Sequence, residues 1–122
     1  MKKRQPWRII LSESSEGANE QLEVFALLNL GLVQSLTCGV LSAKETIPHF
    51  YNADNCFFVR DHLKSKVANT IMSHGVQLPD LFNLLSGDEA QREFYHELEK
   101  IRSMSLKLLE KSRTQMVAES IS

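Results

Sequence analysis

The C-terminal third of the chain contains a pair of side chains with the spacing that metal-binding helices use. Glu93 and His96 are three residues apart, which places a carboxylate and an imidazole on one helix face. Di-iron bundles use this spacing, but they need a second copy and two more glutamates on facing helices. The chain has no second copy of this pair. His96 and Glu97 also begin like the His-Glu-x-x-His motif of zinc proteases, but Lys100 occupies the position of the second histidine. We interpret the pair as part of a solvated helix face.

Cysteines and histidines are the other candidates for catalysis or metal binding. The cysteines are Cys38 and Cys56, and the remaining histidines are His49, His62 and His74. The cysteines form no Cys-x-x-Cys pair, and no Cys–His spacing matches a zinc module. Both adjoin apolar runs and are predicted to be small core residues, although a Cys–His pair assembled in space stays an alternative. We therefore predict no catalytic, cofactor or metal site, and a protein that is not an enzyme.

A basic cluster at the N-terminus is the best candidate for contact with nucleic acid or an acidic protein. Residues 1–13 form this arm, which contains Lys2, Lys3, Arg4, Trp7 and Arg8. Cations around an aromatic ring can contact a phosphate backbone, but such a segment more often only makes a terminus soluble, and this is the interpretation that we favour. The whole chain has 14 Lys and Arg against 15 Asp and Glu, a net charge of −1. This balance excludes binding driven by bulk positive charge, so nucleic acid is the alternative partner.

The compartment follows from cysteine use and from one long uncharged run. Two cysteines are too few for a secreted disulfide scaffold and indicate a reducing, cytoplasmic location. Val24 to Leu41 has 18 residues without charge, the lower limit for a membrane span. Asn29 and Gln34 lie inside this run, and such polar groups are costly in lipid. We predict a buried helix there and no membrane partner.

The chain of 122 residues has only five glycines and three prolines, too few for the turns of an all-β fold. An all-α domain is predicted over 14–113, with a central helix at 16–38 that is surrounded because it is apolar all round. Inside it, Asn29 must find an internal hydrogen-bond partner. Gly31 is expected to allow close helix approach, so that Gly31→Leu destabilises the fold by about 1–3 kcal/mol.

Short helices are predicted on one side of this central helix. Ser14 or Ser15 would cap the central helix, and Gly39 would end it. Ser42 and Glu45 have the spacing of a capping box for the next helix. Further short helices are expected at 56–63, 67–75 and 79–85, with Gly75 ending one and Pro79 starting another. The prediction is a compact bundle of five to six helices, with a short strand or an extended arm at 7–11.

The C-terminal helix is predicted at 88–113, followed by a frayed tail at 114–122. Its 26 residues span about 39 Å, longer than a compact domain about 35 Å across. Met104, Leu108 and Leu109 would then lie beyond intramolecular cover, unless the helix bends near 103–105. Uncovered apolar side chains mark association surfaces, so these three residues are predicted to form a homodimer interface.

Three segments give the chain a resemblance to a known group of proteins. They are Leu27-Leu28-Asn29-Leu30-Gly31-Leu32, the helix capped by Ser42 and Glu45, and Ile71 to Leu85, which contains Met72-Ser73-His74-Gly75-Val76-Gln77-Leu78-Pro79-Asp80. Their order resembles a small bacterial family labelled only as a domain of unknown function, over about half the chain. The resemblance implies a bacterial cytoplasmic protein and no catalytic residue. The leading functional hypothesis is a non-enzymatic protein-interaction module or small regulator with an unknown protein partner.

Overall fold

The computed structural model describes residues 17–121, with side chains over 19–115. Its helices are α1 (Ala18–Thr37), α2 (Ala43–Phe50), α3 (Ala53–Phe58), α4 (Lys66–Leu84) and α5 (Gly87–Ile121), and α3 continues into a π-helical turn at Val59–Leu63. The all-α class is confirmed. If α3, which has only six residues, is left out, residues 17–121 contain four helices, so the expected count of five to six is wrong. The strand or arm predicted at 7–11 lies outside the described residues.

The count differs mainly because two predicted helices are one. α4 passes through both Gly75 and Pro79 without interruption. A Cβ on Gly75 would overlap the ring of Tyr51, so this glycine permits close packing and does not end the helix. Pro79 removes one helical hydrogen bond, yet buried Met72 and Leu78 anchor the helix before it.

Helix ends follow the capping chemistry of the sequence in most places. Gly39 has a φ of 73° directly after the C-cap of α1, the left-handed conformation that favours glycine. The Ser42 side chain accepts a hydrogen bond from the Glu45 N–H, as the capping box predicts. The start of α1 differs, because Gly17 is its N-cap and makes no side-chain cap. The prediction of Ser14 or Ser15 at that position is wrong.

The core lies mainly between α1 and α5, which pack along each other. At the start of α1, the Ser112 hydroxyl donates to the Asn19 carbonyl at 3.3 Å, and Arg113 pairs with Glu23 at 3.3 Å. α5 ends at Ile121, soon after Ser112, whereas α1 continues from Asn19 to Thr37. If the two helices were parallel, the C-terminal part of α1 would lie past the end of α5 and could not pack along it. The two helices are therefore antiparallel.

The buried face of α5 has positions three or four residues apart, the pattern of a helix packed along another helix. These positions are Ala90, Phe94, Leu98, Ile101, Ser105, Leu108 and Ser112. α5 spans about 52 Å and continues to Ile121, past the predicted end at Arg113. No Gly or Pro interrupts residues 114–121.

The reasoning that placed a dimer interface on the C-terminal helix is corrected by this pairing. Leu108 is buried in the core, and Met104 and Leu109 pack against it. The error was to compare the helix length with a spherical domain. α1 and α4 both pack on α5, so much of its apolar face is covered within one chain.

Candidate functional site

The metal and thiol candidates form no metal-binding group among the described residues. Among the described residues, no group of three or more His, Cys, Asp or Glu could hold a metal ion. Glu93 and His96 are both exposed on α5, as a solvated face requires. Cys38 is exposed and accepts a hydrogen bond from the Gln34 amide at 3.1 Å, so its prediction as a core residue is wrong. Cys56 is half-buried, and burial raises the pKa of its thiol.

Two of the histidines have partners that fix their rings. His62 stacks on the Phe58 ring at 4.4 Å, and its Nδ1 lies 3.1 Å from the Phe58 carbonyl oxygen. His74 Nδ1 is 3.5 Å from a carboxylate oxygen of Glu97. Both sets of contacts are within the protein.

The buried polar centre of the molecule connects three segments. The Asn29 amide donates to the Phe25 carbonyl at 2.9 Å, and the Tyr51 hydroxyl donates to Asn29 Oδ1 at 2.6 Å. The internal partner predicted for Asn29 is confirmed. Burial raises the pKa of Tyr51, whose ring also packs on Gly75. The network stabilises the joint between α1, α2 and α4.

One face of α1 is open, contrary to the prediction that other elements surround this helix. Phe25, Asn29 and Val33 are buried, but Val24 and Leu28 are 40% and 42% exposed. Within 17–121 no helix is both long enough and apolar enough to cross a membrane. Within the part of the chain that the structure describes, the apolar run has one buried face and one exposed face.

The open face of α1 is a regular stripe, which we call the α1 stripe: Val24, Leu28, Gly31 and Ser35. Its spacings are four, three and four residues, the pattern of a helix that packs along another. Together with Leu27 and Leu41, the stripe lines a shallow depression of about 400 Å³. A contiguous exposed apolar patch of this kind is typical of an association surface.

Gly31 forms a gap in this stripe. A Cβ built at Gly31 has no heavy atom within 4 Å, so the residue does not serve close packing inside the chain. The predicted destabilisation by Gly31→Leu is therefore wrong for the isolated fold. Sequence inspection missed the stripe because apolar residues on the buried face hide its spacing.

The basic residues Lys2, Lys3, Arg4, Trp7 and Arg8 lie outside the described residues. Family models, curated proteins and solved structures were compared with the chain, and none of them matches it. The bacterial family resemblance stays a prediction. The function is therefore inferred from surfaces and contacts.

Proposed function

We propose that this protein is a non-enzymatic protein-interaction module that forms a homodimer through the α1 stripe. The observation that supports the proposal is an exposed apolar stripe on a helix whose opposite face is held in the core. This moves the predicted interface from α5 to α1. The proposed partner is a second copy of the chain.

The stripe is complementary to itself under two-fold symmetry. In an antiparallel pair of α1 helices with the axis between residues 29 and 30, Leu28 faces Gly31 of the other copy. Val24 then faces Ser35 in the same way. Each large side chain meets a small one, and the same patch serves both copies, as closed two-fold association requires. The space over Gly31 would receive the partner's leucine.

Several buried polar side chains support the non-enzymatic part of the proposal, because their hydrogen bonds are made within the protein and stabilise the fold. The Asn55 amide donates to the Phe50 carbonyl at 2.8 Å, and the Ser105 hydroxyl donates to the Ile101 carbonyl at 2.7 Å. Asn29 and Ser112 are likewise engaged with the protein itself. An exposed free thiol at Cys38 suits a reducing compartment, so the cytoplasm is the proposed location.

Sedimentation of the wild-type chain across the micromolar range tests the dimer. We expect a dimer that Leu28→Glu converts to a monomer, because the substitution places two carboxylates in the apolar interface. Leu84→Glu is the matched control, since Leu84 is 79% exposed and lies on α4 outside the stripe. It should leave the dimer intact.

A second variant separates folding from association. Gly31→Leu should retain the helical circular dichroism and the cooperative melting of the monomer, because the site is open. It should nevertheless abolish the dimer by filling the space that receives Leu28 of the other copy. A wild-type chain that stays monomeric throughout, or a Gly31→Leu variant that dimerises normally, would contradict the proposal.

A further inference from the structure

A second surface, which shares no lining residue with the α1 stripe, is basic where the stripe is apolar. A cavity of about 380 Å³ lies where the N-terminal turns of α1 and α4 meet the C-terminal half of α5. We call this cavity the lysine pocket, because four of its lining residues are lysines: Lys64, Lys66, Lys107 and Lys111. They come from the α3–α4 linker, the first turn of α4, and α5. Tertiary packing brings the pair Lys64 and Lys66 next to the pair Lys107 and Lys111.

Acidic side chains are absent from the described lining of this pocket. Among the residues 19–115 that line it there is no Asp or Glu. Within 17–115, none of the four lysines takes part in an ion pair of 4.0 Å or less. The pKa of Asp61 is lowered mainly by its hydrogen bond to Arg60 and to a smaller extent by the charge of Lys64. Asp61 forms its ion pair with Arg60, at 3.0 Å, and not with Lys64. Lys107 and Lys111 are four residues apart on one helix, a like-charge spacing that is unfavourable without an anion.

The backbone at Lys64, on the edge of the pocket, has an unusual conformation. Lys64 has φ 52° and ψ 43°, a left-handed conformation that is costly for a residue with a Cβ. It follows the π-helical turn at Val59–Leu63 directly. Ser65 then caps α4 by accepting from the Ala68 N–H at 3.2 Å, so the positive end of the helix dipole is at the pocket. Strained backbone of this kind clusters at binding sites.

We infer that the lysine pocket binds a compact anion with two or more phosphate groups, such as a nucleoside triphosphate. The volume is in the range of small-molecule sites, whereas a nucleic-acid strand needs an extended groove. Leu22, Val67 and Leu108 also line the pocket and supply an apolar surface for the rest of the ligand. Four lysines match the charge of a triphosphate.

Isothermal titration calorimetry with inorganic pyrophosphate and with ATP tests the inference at low ionic strength. We expect binding of one anion per chain, with an affinity that falls as salt is added. The double variant Lys107→Gln/Lys111→Gln should weaken binding by about tenfold or more, because two charge-assisted contacts are removed. Lys100→Gln is the matched control on the same helix. Lys100 pairs with Glu97 and does not line the pocket, so this variant should bind normally.

Lys64→Gly provides a test that misfolding cannot imitate. Glycine adopts the left-handed conformation without strain, so the melting temperature should not fall while the affinity for pyrophosphate does. Leu28→Glu should bind pyrophosphate normally, which makes this site independent of the proposed dimer. Failure of both anions to bind would overturn the inference, as would equal losses in the Lys100→Gln and double variants. Binding of a single-stranded oligonucleotide that the double variant abolishes, in a chain that binds neither pyrophosphate nor ATP, would show that the site takes a nucleic-acid strand and would also overturn it.

Discussion

Gly75 is the position where a single added methyl group should be most informative. Gly75 lies in the middle of α4, and in Gly75→Ala the new Cβ would overlap the ring of Tyr51, which follows α2. The ring cannot move aside freely, because Tyr51 is 4% exposed and its hydroxyl is held by Asn29 at 2.6 Å. The expected result is destabilisation, although alanine is ordinarily the better helix former.

The magnitude follows from two opposing contributions. Overpacking of a rigid buried site costs about 3 kcal/mol, while replacing a mid-helix glycine by alanine gains about 1 kcal/mol. The free energy of unfolding should therefore fall by about 2 kcal/mol. For a domain of this size, that loss lowers the melting temperature by about 8 °C.

Urea and thermal unfolding monitored by circular dichroism would measure this loss. Gly31→Ala is the matched control, studied at a concentration where the chain is monomeric, and it should gain about 0.5–1 kcal/mol because its site is open. In a Tyr51→Leu background, Gly75→Ala should cost markedly less, since the ring is gone. A neutral or stabilising Gly75→Ala in the wild-type background would refute the close contact.

Two further predictions concern titratable groups. Tyr51→Phe should lower stability at neutral pH by about 1–2 kcal/mol, because Asn29 Oδ1 loses a buried hydrogen bond. Burial raises the pKa of Tyr51 in the folded state, so its contribution is fully present below the unfolded pKa of about 10 and is lost above it. Urea titrations from neutral to alkaline pH should therefore show the wild type losing more stability than Tyr51→Phe; equal losses would contradict this. Thiol labelling with a chromogenic disulfide should modify exposed Cys38 first and Cys56 slowly, and Cys38→Ser should remove the fast phase alone.

Local chemistry was readable from the sequence where short-range contacts decide the structure. The all-α class, the Ser42 cap and the Gly39 terminus follow from capping and conformational preferences within a few residues. The need of Asn29 for an internal partner was also readable, because an amide inside an apolar run must be satisfied. Its partner, Tyr51, is 22 residues away and could not be identified from spacing.

Long-range packing gives similar local sequence features different roles. Gly31 and Gly75 are both glycines within apolar helical segments, yet one borders open space and the other receives the Tyr51 ring. A run that is apolar on every face, such as α1, does not specify which face the core covers, since either face would gain by burial. The lysine pocket likewise depends on contacts between segments far apart in the chain. Local interactions within the sequence set the all-α class and several helix ends; long-range packing set the continuity of α4 through Gly75 and Pro79 and which surfaces remain exposed.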